Sequence, residues 1–251
     1  FTNFKLKASY SIWEGGFIFA SEKNTVNISE SEFYLVGSLD EGAISYLLQD
    51  NTFYLSSSVI EHTYALAGTI LFASMGNRIF YSNNTVFGFH STLEGRFAII
   101  YKDNNLKVHN TTFEYSVVLA EEILFSRAAK ENLNKLDLTF IQKSFTGMFA
   151  DELSFKEFAP SSMIFAKSSV ISLLNVTVNG MFHSSVIRLR NAKIIETKAF
   201  SITNCSNAEG FLFDFKNSIV SISTLVIRGN IGMGFLVTSS KLTLQKFKIS
   251  S

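Results

Sequence analysis

Hydrophobic residues along this chain follow an eight-residue pattern that returns many times. In "VSISTLVI" (220–227) and "LTLQKFKI" (242–249) apolar side chains fill positions 1, 3, 6 and 8. "ISLLNVTV" (171–178) and "IETKAFSI" (195–202) follow the same rule, with Thr197 as the polar exception. Looser copies start at Val26, Phe53, Ile79 and Leu106, where Ser or Asn often fills position 6, and a further one is read at Phe4. Alternation at positions 1 and 3, then at 6 and 8, predicts two short strands joined by a bend. Positions 2 and 7 then face outward, and they are mostly polar: Lys5, Asn27, Lys107, Glu196 and Thr243 at the first, Glu32, Thr112, Thr177 and Lys248 at the second.

Between the copies lies a glycine followed by an apolar run. The column reads Gly16, Gly42, Gly68 and Gly95, continues through Glu122, Gly147, Ser162 and Ser185, and ends at Gly210 and Gly234. Its first intervals are 26, 26 and 27 residues. Each unit of 22–27 residues supplies about three strand segments and leaves no room for a crossover helix. A propeller blade needs about 40 residues and antiparallel returns, and the leucine and asparagine spacing of a leucine-rich repeat is absent. The expected fold is therefore all-β, a right-handed parallel β-helix of ten to eleven coils forming one solenoid over residues 1–251. Irregular coils are expected near 117–167: a short helical excursion around 120–136, then two cramped coils from 136 to 167.

The glycine strand and the strand before it resemble the repeats of polymorphic outer membrane proteins. Those repeats pair a GGAI-type tetrapeptide with an FxxN motif on a parallel β-helix of the pectin-lyase-like superfamily. Here "GGFI" (15–18), "EGAI" (41–44), "AGTI" (67–70) and "EGFL" (209–212) resemble the first motif. "VTVN" (176–179), "LVIRGN" (225–230) and "FSITN" (200–204) resemble the second. The resemblance implies a secreted or surface protein, in a superfamily that holds adhesins, surface proteins and polysaccharide enzymes alike.

Composition narrows the classes further. A hydrophobic fraction of 47% suits a large core, and a net charge of +1 gives no overall bias toward nucleic acid or an anionic membrane. No apolar run reaches the length that crosses a bilayer, and no signal peptide is read at an N-terminus that starts with Phe1. The single cysteine, Cys205, excludes an intrachain disulfide and reads as an inert small residue. Phe19, Phe72, Phe125, Phe165 and Phe213 are expected to stack inside the coils, whereas Phe4, Phe80 and Tyr54 are candidates for exposed contacts.

Candidate chemistry is sparse. The six aspartates, Asp40, Asp50, Asp103, Asp137, Asp151 and Asp214, form no D-x-D or D-D pair, and the "DE" and "EE" doublets read as turn charges. His62, His90, His109 and His183 lie in separate units without a ligand partner at metal spacing. "GNIGMG" (229–234) lacks the helix a phosphate loop requires and reads as a turn. Arg188 and Arg190 are two apart on a strand and form a candidate surface contact for an anion or glycan. No catalytic residue, metal ligand or cofactor is assigned.

The sharper clue is a set of N-x-S/T sequons at Asn27, Asn83, Asn110, Asn175 and Asn204. Asn83, Asn110 and Asn175 all occupy position 5, the bend, where other coils place Glu30, Glu157 and Lys246. Charges would be costly indoors, so this position should face water and offer glycan acceptors. Neither end of the chain looks capped. The expected partners are therefore flanking coils or further copies stacked end to end, together with glycans or cell-surface partners, and no nucleic acid. Two functions fit: a non-catalytic extracellular or cell-surface rod (stalk, adhesin or filament subunit), and a polysaccharide-active lyase, hydrolase or glycan-binding module. Acidic residues converging in a groove favour the second.

Overall fold

A computed structural model describes residues 1–12, 15–38, 40–65, 67–91, 95–114, 162–181 and 185–250. Every element in them is a strand, and every strand pairing is parallel. An eight-stranded sheet stacks Ile18–Glu22, Ser45–Gln49, Leu71–Met75, Ala98–Tyr101, Ser162–Lys167, Ser185–Arg190, Ser206–Lys216 and Ile231–Thr238 in chain order. The facing sheet has twelve strands. In its first coils the two halves of the eight-residue pattern are separate strands, such as Thr52–Ser56 and Val59–Ala65. From Asn105–Glu114 onward they run as one. The protein is a parallel β-solenoid of about 7 turns.

That is fewer than the ten to eleven coils expected, and the pairing gives the reason. Ala98 lies beside Ile164, and Asn105 beside Val170, so the ladder passes from the coil ending at residue 114 to the one beginning at 162 with no rung between. The helical excursion and most of the cramped coils fall on 115–161, outside the described residues, as do Glu122 and Gly147. "SMIFAK" is an ordinary rung, Ser162–Lys167.

The pattern positions stack as read. Val26, Phe53, Ile79, Leu106 and Ile171 form one inward column, and Val220 and Leu242 continue it. Two registers differ from expectation. Ile194, not Ile195, continues that column: a bulge after Ile194 leaves Ile195 57% exposed. Leu6 pairs with Phe33, which puts Phe4 at position 6 of its coil rather than position 1. The glycine column also shifts: Ile18 pairs with Ser45, so Gly15, not Gly16, shares a rung with Gly42. Gly232 pairs with Asn207, and a register shift between Asn207 and Phe211 takes Gly210 out of the ladder, so Gly234 does not stack over it. Gly42 has φ +65, and a Cβ there would sit 2.4 Å from the Ser45 carbonyl oxygen, so the turn into the strand demands glycine.

Phe213 lies inside, stacked on Phe235 at 4.6 Å. Phe97 fills the interior against Phe113, also at 4.6 Å. Burying each such ring contributes about 1.5–3 kcal/mol. Phe19, Phe72 and Phe165, expected inside, are on the outer face. Strand alternation turns Ala20, Ala73 and Ala166 inward in their place. Phe19, Tyr46 and Phe72 form an outer aromatic ladder with centroid spacings of 5.5 and 4.7 Å. Phe125 lies outside the described residues.

Candidate functional site

The bend between positions 4 and 6 is built by residues with left-handed backbone: Glu30, Ser57, Asn83, Asn110, Asn175 and Ala199, all with φ between 45 and 55°. Asparagine tolerates this conformation better than most side chains, because its short amide bonds locally. Asn83, Asn110 and Asn175 are exposed and stack on successive rungs. Asn110 Nδ2 donates to Asn83 Oδ1 and Asn175 Nδ2 to Asn110 Oδ1, both at 3.0 Å. Glu30 and Lys246 on the same bend are exposed too, whereas Glu157 lies outside the described residues. Two residues on, Thr85, Thr112 and Thr177 form the neighbouring outward column and complete the three sequons. Asn27 is exposed on the flank of Thr25–Ser29. Asn204 is exposed at a different corner, donating to Asn179 Oδ1 at 3.1 Å.

A second asparagine ladder lies indoors. Asn24, Asn51, Asn77 and Asn104 occupy successive coils two residues before position 1, and the last three are buried. Each of the first three takes the next coil's side-chain oxygen as acceptor for both its backbone N–H and its Nδ2, at 2.7–3.1 Å. The signal was in the sequence: "NTV", "NTF", "NRI" and "NNL" recur at intervals of 27, 26 and 27.

Arg188 and Arg190 point outward as a pair, but Arg188 is only 4% exposed. The next rung explains it. Asp214 pairs with Arg188 in register and binds both guanidiniums, Arg190 through two hydrogen bonds of 2.6 and 3.0 Å and Arg188 Nε at 3.3 Å. Arg188 is thus held in a largely buried ion pair rather than offered as a surface contact, and Arg190 stays partly accessible.

The other candidates are dispersed. Asp50 and Asp103 are exposed at left-handed corner residues, and Asp40 is half-buried. Asp137, Asp151 and His183 lie outside the described residues. Cys205 is buried, its thiol pushed up to about 11 by burial. Gly229 is a turn, and a strand follows directly from Ile231. Among the described residues no three His, Cys, Asp or Glu side chains are grouped to hold a metal ion. Of the proposed aromatic contacts, Phe4 packs partly into the core. Tyr54 is 39% exposed and stacks on Phe80 at 4.7 Å, with the Lys107 ammonium 5.5 Å from the Phe80 centroid.

One groove of about 440 Å³ runs over the first coils, lined by Lys7, Glu32, Phe33, Tyr34, Val59 and Glu61. Lys7, Tyr34 and Glu61 are successive rungs of one outward column. Glu32 is exposed and ion-paired to Lys5 at 2.8 Å. His62 stands edge-on to Tyr34 of this groove at 5.6 Å and to Phe87 at 5.4 Å. Two carboxylates, a phenol and an ammonium over an apolar floor provide hydrogen-bonding groups for a polar organic ligand. No family model, curated protein or solved structure matches this chain.

Proposed function

We propose that the protein is a non-catalytic extracellular or cell-surface rod, a segment of a stalk, adhesin or filament, carrying N-linked glycans along one corner. The observation behind this reading is the exposed column Asn83, Asn110 and Asn175 with its threonine column alongside. Each Nδ2 has two hydrogens, and the ladder uses one on Asn110 and Asn175. In the transfer, Nδ2 bonds to C1 of the sugar, the bond from C1 to its lipid pyrophosphate carrier breaks, and Nδ2 gives up one proton. The remaining hydrogen still serves the ladder. The likeness to polymorphic outer membrane protein repeats and the pectin-lyase-like superfamily is consistent with a surface role. Backbone geometry alone also favours asparagine at this bend, so occupancy is the test. Glycopeptide mapping of protein from its native source is expected to find hexose-bearing Asn83 and Asn175 at least. Bare asparagines throughout the column would overturn the glycosylated rod.

A second reading, a glycan-binding module, is favoured by the groove that brings Glu32 and Glu61 together with Tyr34 and Lys7. Titration with neutral oligosaccharides tests it. Binding that Glu61→Gln and Tyr34→Ala each weaken at least tenfold supports a binding module, and no binding removes it.

A further inference from the structure

The near-neutral total conceals a polarity along the rod. Residues 1–114 contain seven Lys or Arg against eleven Asp or Glu, whereas residues 162–251 contain ten against three. Much of the excess gathers at one corner. Lys167, Arg190 and Lys216 end three successive strands of the eight-stranded sheet and lie beside one another in register. Across the corner Lys193 sits one rung from Val170, and Lys241 two rungs further on. Lys167, Lys193, Lys216 and Lys241 are all exposed. Rungs are about 4.8 Å apart, and like charges directly opposite on neighbouring strands repel. Asp214 neutralises one of the two arginines it binds. Besides Asp214, Glu196 is exposed on the flank beyond Lys193, and Asp103 lies one rung below Ser168.

We propose that this ridge binds a linear acidic polysaccharide laid along the rod axis. One cation per rung presents a charge spacing of the same order as that of successive sugars in an extended chain. A convex ridge offers a line of contact, which suits a thread better than a flat membrane. Between the cations stand Ser168, Asn191 and Asn217, all exposed. Their hydroxyl and amide groups fit sulfate, carboxylate and sugar hydroxyl oxygens, whereas single-stranded bases are held on aromatic platforms. The ridge is a different corner from the sequon column, so the two surfaces are tested separately.

The test is titration of the 251-residue chain with dextran sulfate, neutral dextran, a single-stranded oligonucleotide and phosphatidylserine-containing vesicles at low and near-physiological salt. Dextran sulfate is expected to bind tightest, more weakly as salt rises. Combined Lys167→Gln, Lys193→Gln and Lys216→Gln should weaken it about tenfold, since each exposed ion pair contributes little alone and three are lost together. The matching lysine-to-arginine triple should restore it. Lys23→Gln, Arg78→Gln and Lys107→Gln together remove the same charge elsewhere and should leave it unchanged. Equal weakening by both glutamine triples, no binding of dextran sulfate, or tighter binding of the oligonucleotide or vesicles would each overturn the proposal.

Discussion

In the coils before residue 114 the corner leading into the twelve-stranded sheet is held by Asn24, Asn51, Asn77 and Asn104. In the coils after 162 the same corner carries Ser169, Ala192, Ser218 and Ser240. Both solutions accept a backbone N–H from the neighbouring coil: Asn51 N to Asn77 Oδ1 at 2.9 Å, Ser218 N to Ser240 Oγ at 2.8 Å. They differ in where the side-chain donor goes. Asn77 Nδ2 reaches the Leu48 carbonyl and the amide of Asn104, tying three coils together. Ser218 Oγ turns back to the carbonyl of Lys216 two residues earlier, a local turn. Coil length follows the same divide. Before 114 successive rungs are 26 or 27 residues apart, whereas after 162 the steps are 23, 26 and 22. An amide ladder couples coils through both its donor and its acceptor and goes with a constant repeat; a serine corner couples them through its acceptor alone and goes with a variable one.

The largest expected effect breaks that contrast directly. Asn77→Ala removes two donors and an acceptor from a buried site and leaves the Asn51 N–H without its partner. The expected loss is about 3 kcal/mol of unfolding free energy. Ser218→Ala should cost about 1 kcal/mol, because one N–H and one carbonyl lose a partner. Urea denaturation followed by far-ultraviolet circular dichroism measures both. Equal losses would show that the amide ladder adds nothing beyond its local bonds.

Next in size is Asp214→Asn, in the later coils alone. It leaves Arg188 and Arg190 as neighbouring cations with the first largely buried, and about 2 kcal/mol should be lost, less than for a fully dry pair because Asp214 and Arg190 keep some solvent. Asp214→Ala should be no better. A variant of wild-type stability would mean that the pair holds no net energy. Smaller and opposite in sign is Thr197→Val. Thr197 points inward in the column of Leu173, and its hydroxyl is buried without a partner among the described residues. Removing that hydroxyl should raise stability by about 1 kcal/mol in the same assay.

The two regions were not equally legible. Period-two alternation identified the inward columns from Val26 to Leu242, because the hydrophobic effect enforces it rung by rung. Position 5 was placed outside by charge alone, through Glu30 and Lys246. The register after 162 was harder, because the bulge at Ile194 swaps one isoleucine for its neighbour without altering composition. The outer ladder of Phe19, Tyr46 and Phe72 was hidden for a related reason: a phenylalanine is apolar on either face, and only its alanine neighbour tells which way it turns. Arg188 looked solvated because its partner, Asp214, is 26 residues away and meets it only through the coil repeat. The interior asparagines form a periodic column of their own, but an amide is polar on either side of the wall, and only its neighbours on the adjoining coils show that it lies inside.

The smallest expected effect concerns His62, beside the groove of the first coils. Its ring stands edge-on between Tyr34 and Phe87, and its Nδ1 is buried without a partner among the described residues, over the Cα of Gly88. Partial burial lowers its pKa from the ordinary 6.5, and Glu61 opposes that by favouring the cation. The folded protein therefore holds His62 neutral at a pH where the unfolded chain has begun to protonate it. Stability from this site is complete above the unfolded value near 6.5. It declines as pH falls through that value toward the depressed folded one, and it levels off below both. The Tm should be lower at pH 5 than at pH 7, and His62→Asn should remove part of the difference, since asparagine tolerates the φ of +53° at this residue. Because the total slope sums over the whole chain, the informative quantity is the slope of the variant subtracted from that of the wild type. A difference of zero would place the proton elsewhere and leave His62 as an aromatic spacer between Tyr34 and Phe87. A positive difference would assign a pH response to the packing of His62 between Tyr34 and Phe87.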